Sequence, residues 1–296
     1  MTKCGFIVVI GAPNVGKSTL VNALVGSKVT IVSPKVQTTR SRILGIALEK
    51  NAQVIFVDTP GIFETPKRRL EKAMVKNAWE SLNDADGIMV LVDVSRKTFE
   101  ETDLILNHLE KKKKNVVIVL NKIDLIPRNR LLSIAQHFSR PNVEYTFMIS
   151  ALKRDGIYDI KKYWANHVPE GPWLFPKDQL SDLPQKLLAA EITREELFHR
   201  LHQELPYSIW VETDQWEEFK NGSVKIIQSI YVQRESQRVI VLGKGGSLVK
   251  AIGEGARKQL SHILGKPVHL FLHVKVKEGW IDNPRLYGTI GLNFKV

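Results

Sequence analysis

Gly11, Gly16, Lys17 and Ser18 carry the first chemistry legible in this 296-residue chain. Gly11-Ala12-Pro13-Asn14-Val15-Gly16-Lys17-Ser18 has the spacing G-x-x-x-x-G-K-S, the pattern of a phosphate-binding loop. Glycines let successive backbone N–H groups close around phosphate oxygens, and a helix starting there adds positive potential. In such a loop the Lys17 ammonium reaches the β- and γ-phosphates of a nucleotide, and the Ser18 hydroxyl ligates Mg²⁺. Asn14, Val15 and Thr19 belong to the same nucleotide-binding stretch. Asp58-Thr59-Pro60-Gly61 follows about forty residues later. There Asp58 holds Mg²⁺ through water or Ser18, and the Gly61 N–H meets the γ-phosphate. Asn121-Lys122-Ile123-Asp124 is a base-reading pattern. Asp124 accepts hydrogen bonds from the N1–H and 2-amino group of guanine. Adenine lacks both donors, and a site built this way discriminates by ~10⁴ or more. The Lys122 stem lies over the base, Asn121 ties its loop to Gly11–Ser18, and in Ser150-Ala151-Leu152 the Ala151 N–H meets the guanine O6.

These residues need strands to hold them. Phe6–Ile10, Gln53–Val57, Ile88–Val92, Val116–Leu120 and Phe147–Ile149 are short apolar runs. Runs without alternation suit strands buried on both faces of a parallel sheet. Leu20, Val21, Ala23 and Leu24 follow the first loop at helical spacing, ended by Gly26. Residues 62–82 read as a charged surface helix that begins as a mobile switch, and Glu100 to Leu109 as another helix. Ser33–Arg40 is a polar, proline-containing loop whose hydroxyls can complete a Mg²⁺ shell. Ile62 follows Gly61, where Ras-type GTPases place a water-orienting glutamine. An isoleucine cannot hydrogen-bond a water, so slow intrinsic hydrolysis aided by K⁺ or a partner is expected, with Asn14 as the K⁺ contact.

Composition sets outer limits. The 43% hydrophobic content suffices for sizeable cores, and the length suits about two domains. No apolar stretch approaches the ~20 residues of a membrane span, and the N-terminal run is too short for a signal peptide. One cysteine, Cys4, excludes an internal disulfide and a cysteine zinc site, so a cytoplasmic setting is expected. The net charge of +12 divides into +10 for residues 1–167, −7 for 168–218 and +9 for 219–296. Such an excess favours a polyanionic partner.

Residues 168–184, rich in proline and glycine, read as a linker between a domain at 1–167 and one at 185–296. Leu187 to Leu205 has helical spacing, ended by Pro206. Ser208–Thr213, Ser223–Gln233 and Val268–Val276 alternate as strands. Leu248 to Ile263 is helical, with breaks expected at Gly253 and Gly255. The order helix, strand, strand, helix, helix, strand is that of a type II KH domain. Gly243-Lys244-Gly245-Gly246 then supplies the G-x-x-G loop that clamps about four nucleotides. Val241, Val249 and Ile252 form the expected apolar floor beneath the bases.

Both halves together resemble the Era family of bacterial GTPases over nearly the whole chain. The resemblance rests on Gly11–Ser18, Gln37-Thr38-Thr39-Arg40, Asp58–Gly61, Asn121–Asp124 and Ser150-Ala151-Leu152. It also rests on Glu170-Gly171-Pro172, Glu204-Leu205-Pro206-Tyr207, and Leu242–Gly246 with Lys250 and Ile252. It implies an α/β P-loop GTPase with a Ras-like, mostly parallel sheet and helices on both faces, followed by an α+β type II KH domain. It assigns Mg²⁺ sensing to Thr39, which joins Ser18 and Asp58 at the metal and Lys17 and Gly61 at the reacting phosphate. It implies GTP and GDP as ligands, and GTP hydrolysis coupled to assembly of the small ribosomal subunit. The partner is the single-stranded 3′ end of the small-subunit rRNA, not DNA, with association to the inner face of the plasma membrane. The ending around Gly279–Leu286 departs from the usual family pattern. Two other readings compete: an RNA-binding module with a vestigial nucleotide site, and a membrane-associated GTPase regulator. Intact Lys17, Ser18, Asp58 and Asp124 argue against the first.

Overall fold

The structure, a computed structural model, describes the whole chain except residues 36, 37, 67, 203, 204 and 296. Gln37 and Glu204, on which part of the resemblance rests, lie outside the described residues. The chain divides into two units, one of 1–30, 39–182 and 288–296, the other of 31–38 and 183–287.

The first unit holds a six-stranded sheet: β1 (Lys3–Ile10), β2 (Ile43–Glu49), β3 (Ala52–Asp58), β4 (Gly87–Asp93), β5 (Val116–Asn121) and β6 (Val143–Ile149). Their order is β2-β3-β1-β4-β5-β6, parallel throughout except that β2 runs antiparallel to β3. Alternate residues of one strand feed different cores. Ile7 and Val9 pack with Leu20 and Leu24 of α1 (Lys17–Val25) and Ile160 and Trp164 of α5 (Ile157–His167). Val8 and Ile10 pack with Ile105 and Leu109 of α3 (Glu100–Lys111), Leu131 of α4 (Asn129–His137) and Ala78 of α2 (Arg69–Glu80). With helices on both faces, a polar residue on either side of a central strand would be buried, which explains the unbroken apolar runs. The strand order reverses at β1, so the loops after β1, β3, β4, β5 and β6 gather at one edge, where ligands bind in open α/β sheets.

The stretch expected as a linker, 168–184, belongs to the first unit up to residue 182. The Gln53 side chain explains this: its carbonyl accepts the Leu174 and Phe175 N–H groups at 2.9 and 3.1 Å, and its amide donates to the Phe175 carbonyl. A buried amide satisfied in this way holds the segment against the sheet. The last residues, 288–296, also belong here: Asn77 of α2 donates to the Gly291 carbonyl, and Arg69 lies 4.5 Å over the Phe294 ring.

The second unit contains α6 (Gln185–Arg200), β7 (Trp210–Glu218), β8 (Val224–Val232), α7 (Glu235–Leu242), α8 (Ser247–Leu264), β9 (Val268–Val276) and most of α9 (Pro284–Thr289). β8 pairs antiparallel with β7 and parallel with β9. Three expectations are corrected here. Helix α6 ends at Arg200, well before Pro206. β7 extends to Glu218. The helix break falls at Gly243–Gly246, not at Gly253 and Gly255, and α8 is continuous. Gly255 is there for space: a Cβ would come within 2.3 Å of the Glu196 carboxylate of α6.

Candidate functional site

Residues 31–35 and Thr38, which overlap the polar Ser33–Arg40 loop of the sequence, belong to the second unit. The Val32 N–H donates to Glu195 Oε1 at 2.7 Å, and Arg194 donates to the Thr38 carbonyl at 2.5 Å. The Lys35 ammonium caps the carbonyls of Phe198 and Leu201 at the C-terminus of α6, where a cation suits the helix dipole. Burial pushes that ammonium's pKa down. Glu195 and Arg194 are buried charged residues whose sequence pattern gave no sign of a role.

The first loop runs from β1 into α1, and Gly16 sits at its tightest point. Its φ is +100°, and a Cβ there would come within 2.5 Å of the Asn121 side-chain nitrogen, so only glycine fits. Asn121 is buried and bridges two loops. Its Nδ2 donates to the Val15 carbonyl at 2.8 Å, and its Oδ1 accepts the Ala151 N–H at 2.9 Å. The tie between loops is as expected, but the Ala151 N–H is spent on Asn121 rather than left for a base. Lys122 donates to the Asn14 carbonyl at 2.9 Å and to Asp93 at 2.6 Å. The Asp124 carboxylate lies 3.9 Å from the Lys153 ammonium, and of the preceding Ser150-Ala151-Leu152 the first two are buried and Leu152 is exposed.

Beneath the loop, three hydroxyls meet one carboxylate oxygen. Ser18, Thr30 and Thr39 donate to Asp58 Oδ2 at 2.7, 3.0 and 3.2 Å, and the Ser18 and Thr39 oxygens are 2.9 Å apart. The other oxygen, Asp58 Oδ1, is buried without a hydrogen-bond partner among the described residues. Burial raises the Asp58 pKa, against the lowering effects of Ser18 and Lys17. A fully buried carboxylate with an orphaned oxygen and two neighbouring hydroxyls is a set of hard oxygen donors that fits Mg²⁺. Thr30 is the member that sequence reasoning missed. Asn22 of α1 places it, accepting the Val29 and Thr30 N–H groups and donating to the Thr30 carbonyl.

Lys17 is buried, and its ammonium donates to the Gly11 and Ala12 carbonyls at 3.1 and 2.9 Å. Burial pulls its pKa down to about 8, a shift that Asp58 opposes and Arg96 reinforces. Gly61 rests on Pro13, and the Ile62 N–H donates to the Gly11 carbonyl at 3.1 Å. The Ile62 side chain is buried in the core around Val8 and Ile10 and plays no part in orienting water.

In the second unit the Gly243–Gly246 loop joins α7 to α8. Lys244 and Gly245 are exposed, as is Lys250 on the first turns of α8, while Val249 is half-buried. Val241 and Ile252 are fully buried in the core with Leu197 and Ile230, so they cannot be an apolar floor for bases. The exposed apolar side chains beside the loop are Val239 and Ile240. The signal was available: Val239–Leu242 is four apolar residues in a row, more than one helix face can bury.

This combination defines a class: a P-loop nucleotide-binding domain with the guanine-reading loop, joined to a G-x-x-G nucleic-acid-binding domain. The comparisons agree. A family model described as a 50S ribosome-binding GTPase matches residues 6–122, and a KH-domain model matches residues 204–281. The chain is 57% identical to the GTPase Era of Afipia carboxidovorans over 99% of its own length and 95% of the relative's. It is 55% identical to the GTPase Era of Sinorhizobium medicae, with 99% and 94% coverage. A crystal structure of Era in complex with MgGDPNP and nucleotides 1506–1542 of 16S ribosomal RNA superposes with a TM-score of 0.90 at 40% identity, covering 98% of this chain and 99% of that one. A variant of Aquifex aeolicus Era bound to GDP and AlF₄⁻ gives 0.90 at 39% identity, with the same coverage. The chain belongs to the Era family of GTPases.

Proposed function

We propose that this protein is a GTP-hydrolysing switch that binds the single-stranded 3′ end of the small-subunit rRNA through its KH domain and acts in small-subunit assembly. The observation that carries the reading is the convergence of Ser18, Thr30 and Thr39 on the buried Asp58 carboxylate beneath Lys17. A vestigial site would have no reason to keep a buried carboxylate whose second oxygen goes unpaired. The full-length likeness to an Era bound to GDPNP and 16S rRNA supports the ligand and the partner.

Catalysis here is positioning and charge stabilisation. Lys17 gives up two backbone carbonyls to hold the terminal phosphates. Ser18 and Thr39, with Asp58 behind them, would hold Mg²⁺, which neutralises charge developing on the phosphates. The Gly61 N–H faces the γ-phosphate, and loss of that phosphate releases it. Asp124 reads guanine, and Lys122 lies along the base. Asn14, exposed on the loop, is the proposed contact for K⁺. Turnover therefore depends on K⁺ or on the bound ribosomal partner. Lys244, Lys250, Gly243, Gly245, Gly246 and Val249 hold the RNA backbone. Among the described residues no helix is long and apolar enough to cross a membrane, and a cytoplasmic location suits the proposed partner.

The test is RNA affinity in three states: empty, GDP-loaded and loaded with a non-hydrolysable GTP analogue, using a 3′-terminal small-subunit rRNA oligonucleotide. Tighter binding in the triphosphate state is expected. Equal affinity in all three would overturn the switch.

A further inference from the structure

Each carbonyl of the phosphate-binding loop has a donor. Gly11 is held by the Ile62 N–H and Lys17, Ala12 by Lys17, Asn14 by Lys122, Val15 by Asn121 and Gly16 by the Leu20 N–H. The Pro13 carbonyl is held by the guanidinium of Arg96, a residue in the loop between β4 and α3. Arg96 is itself fixed from two sides. Glu101 Oε2 of α3 accepts from its Nη1 at 2.7 Å, and Asp93 lies 3.9 Å from its Nε. Asp93 is a buried hub that also holds the Lys122 ammonium, the Ser95 N–H and the Ser95 hydroxyl.

The Pro13 contact matters because of what proline lacks. Pro13 has no N–H, so the loop has one amide fewer to offer a phosphate. The peptide bond is planar and trans, so fixing the Pro13 carbonyl on Arg96 also fixes the Asn14 N–H, which points the opposite way. Lys17 must leave its two carbonyls when phosphate arrives, but Arg96 need not. Gly61, whose N–H faces the γ-phosphate in the reading above, also rests on Pro13: a Cβ at Gly61 would come within 2.9 Å of the Pro13 Cα. The same peptide unit thus aims one phosphate donor and supports another.

We infer that Arg96, held by Glu101 and Asp93, is a positioning residue for GTP hydrolysis that acts by fixing the Pro13–Asn14 peptide. This rests on the GTPase reading and adds a residue to it.

The experiment measures steady-state GTP turnover, GDP affinity and melting temperature for the full-length protein and for Arg96→Ala, Arg96→Lys, Glu101→Gln and Arg96→Ala/Glu101→Gln. GTP turnover by the unaltered protein tests the underlying reading by itself. Misaiming one backbone donor, rather than deleting it, should lower kcat roughly tenfold. Arg96→Ala should show that loss with KM and GDP affinity within about threefold, and an unchanged melting temperature. Arg96→Lys, which keeps one donor, should recover part of the loss. Glu101→Gln should cost less than Arg96→Ala and add little to it in the double variant, because its hydrogen-bonded contact is with Arg96. For an active unaltered protein, a kcat within twofold in Arg96→Ala overturns the inference. So does a fall in GDP affinity matching the fall in kcat, or additive losses in the double variant.

Discussion

The proposed nucleotide site and the proposed RNA loop are both built on glycine turns at helix starts, yet different things constrain their glycines. Gly16 is squeezed by the protein itself, since a Cβ there meets Asn121 at 2.5 Å. Gly246 caps α8 with a φ of +79°, and a Cβ there meets nothing within 4 Å. Around Gly16 the carbonyls are spoken for and the phosphate cradle is assembled before ligand arrives. Around Gly246 the surface is open, and the left-handed backbone at φ +79°, not crowding by the chain, is what favours glycine there. A preorganised site spends its binding energy on chemistry, whereas an open loop adapts to a flexible polymer.

Variants sharpen that contrast, beginning with the largest effect. Asp124→Asn should lower GTP preference over xanthosine triphosphate by ~10³ or more, because the lost acceptor leaves guanine donors unpaired. Competition binding measures it, and unchanged selectivity would remove Asp124 from the base site. Gly16→Ala should weaken GTP binding by roughly 100-fold through a displaced Asn121, with RNA affinity of the empty protein unchanged. Isothermal titration against both ligands separates the two.

Lys17→Met tests how much strain the prepared site stores. Burial holds the Lys17 pKa at about 8, below its ordinary 10.5. The unfolded chain therefore binds more protons between these values, and the stability of the nucleotide-free protein rises with pH across that window. The penalty is complete below pH 8. Lys17→Met should then abolish nucleotide binding while stabilising the empty protein at pH 7 by on the order of 2–3 kcal/mol. It should also flatten the rise between pH 8 and 10.5, as read by chemical denaturation. Gly246→Ala should cost about 1 kcal/mol of stability, leave GTP turnover intact and weaken RNA binding roughly tenfold. Lys250→Ala should weaken it about threefold and reduce the salt dependence by about one counterion, measured by fluorescence anisotropy across salt concentrations.

The first unit was readable because its chemistry is local. Each motif directly follows an apolar strand, and a double-faced core imposes runs that need no knowledge of the partner. The antiparallel β2 escaped notice because Ile43–Glu49 follows a polar loop with no motif to mark it. In the second unit, periodicity found α6 and α8 but missed α7, and it placed the helix break at Gly253 and Gly255, where Gly255 marks helix–helix approach and not a turn. The buried state of Val241 and Ile252, and the partners of Arg194 and Glu195, depend on segments far away in sequence. Neither composition nor spacing carries that information. Thr30 and Arg96 were missed for the same reason: a hydroxyl and a guanidinium acquire meaning only from the Asp58 carboxylate and the Pro13 carbonyl they meet.

The exchange of short segments between sequence halves has a practical meaning for dissection. Ile31, fully enclosed by Ala189, Ile192 and Val224, lies in sequence among residues of the other unit. A fragment ending at Asp182 would carry that side chain into water, and the piece that follows it would lose the Val32 amide that Glu195 accepts. The carboxy-terminal piece, expressed alone, would keep a vacant groove lined with aliphatic side chains. No single incision yields two self-sufficient halves, and recombinant truncations should be sticky where the intact polypeptide is not.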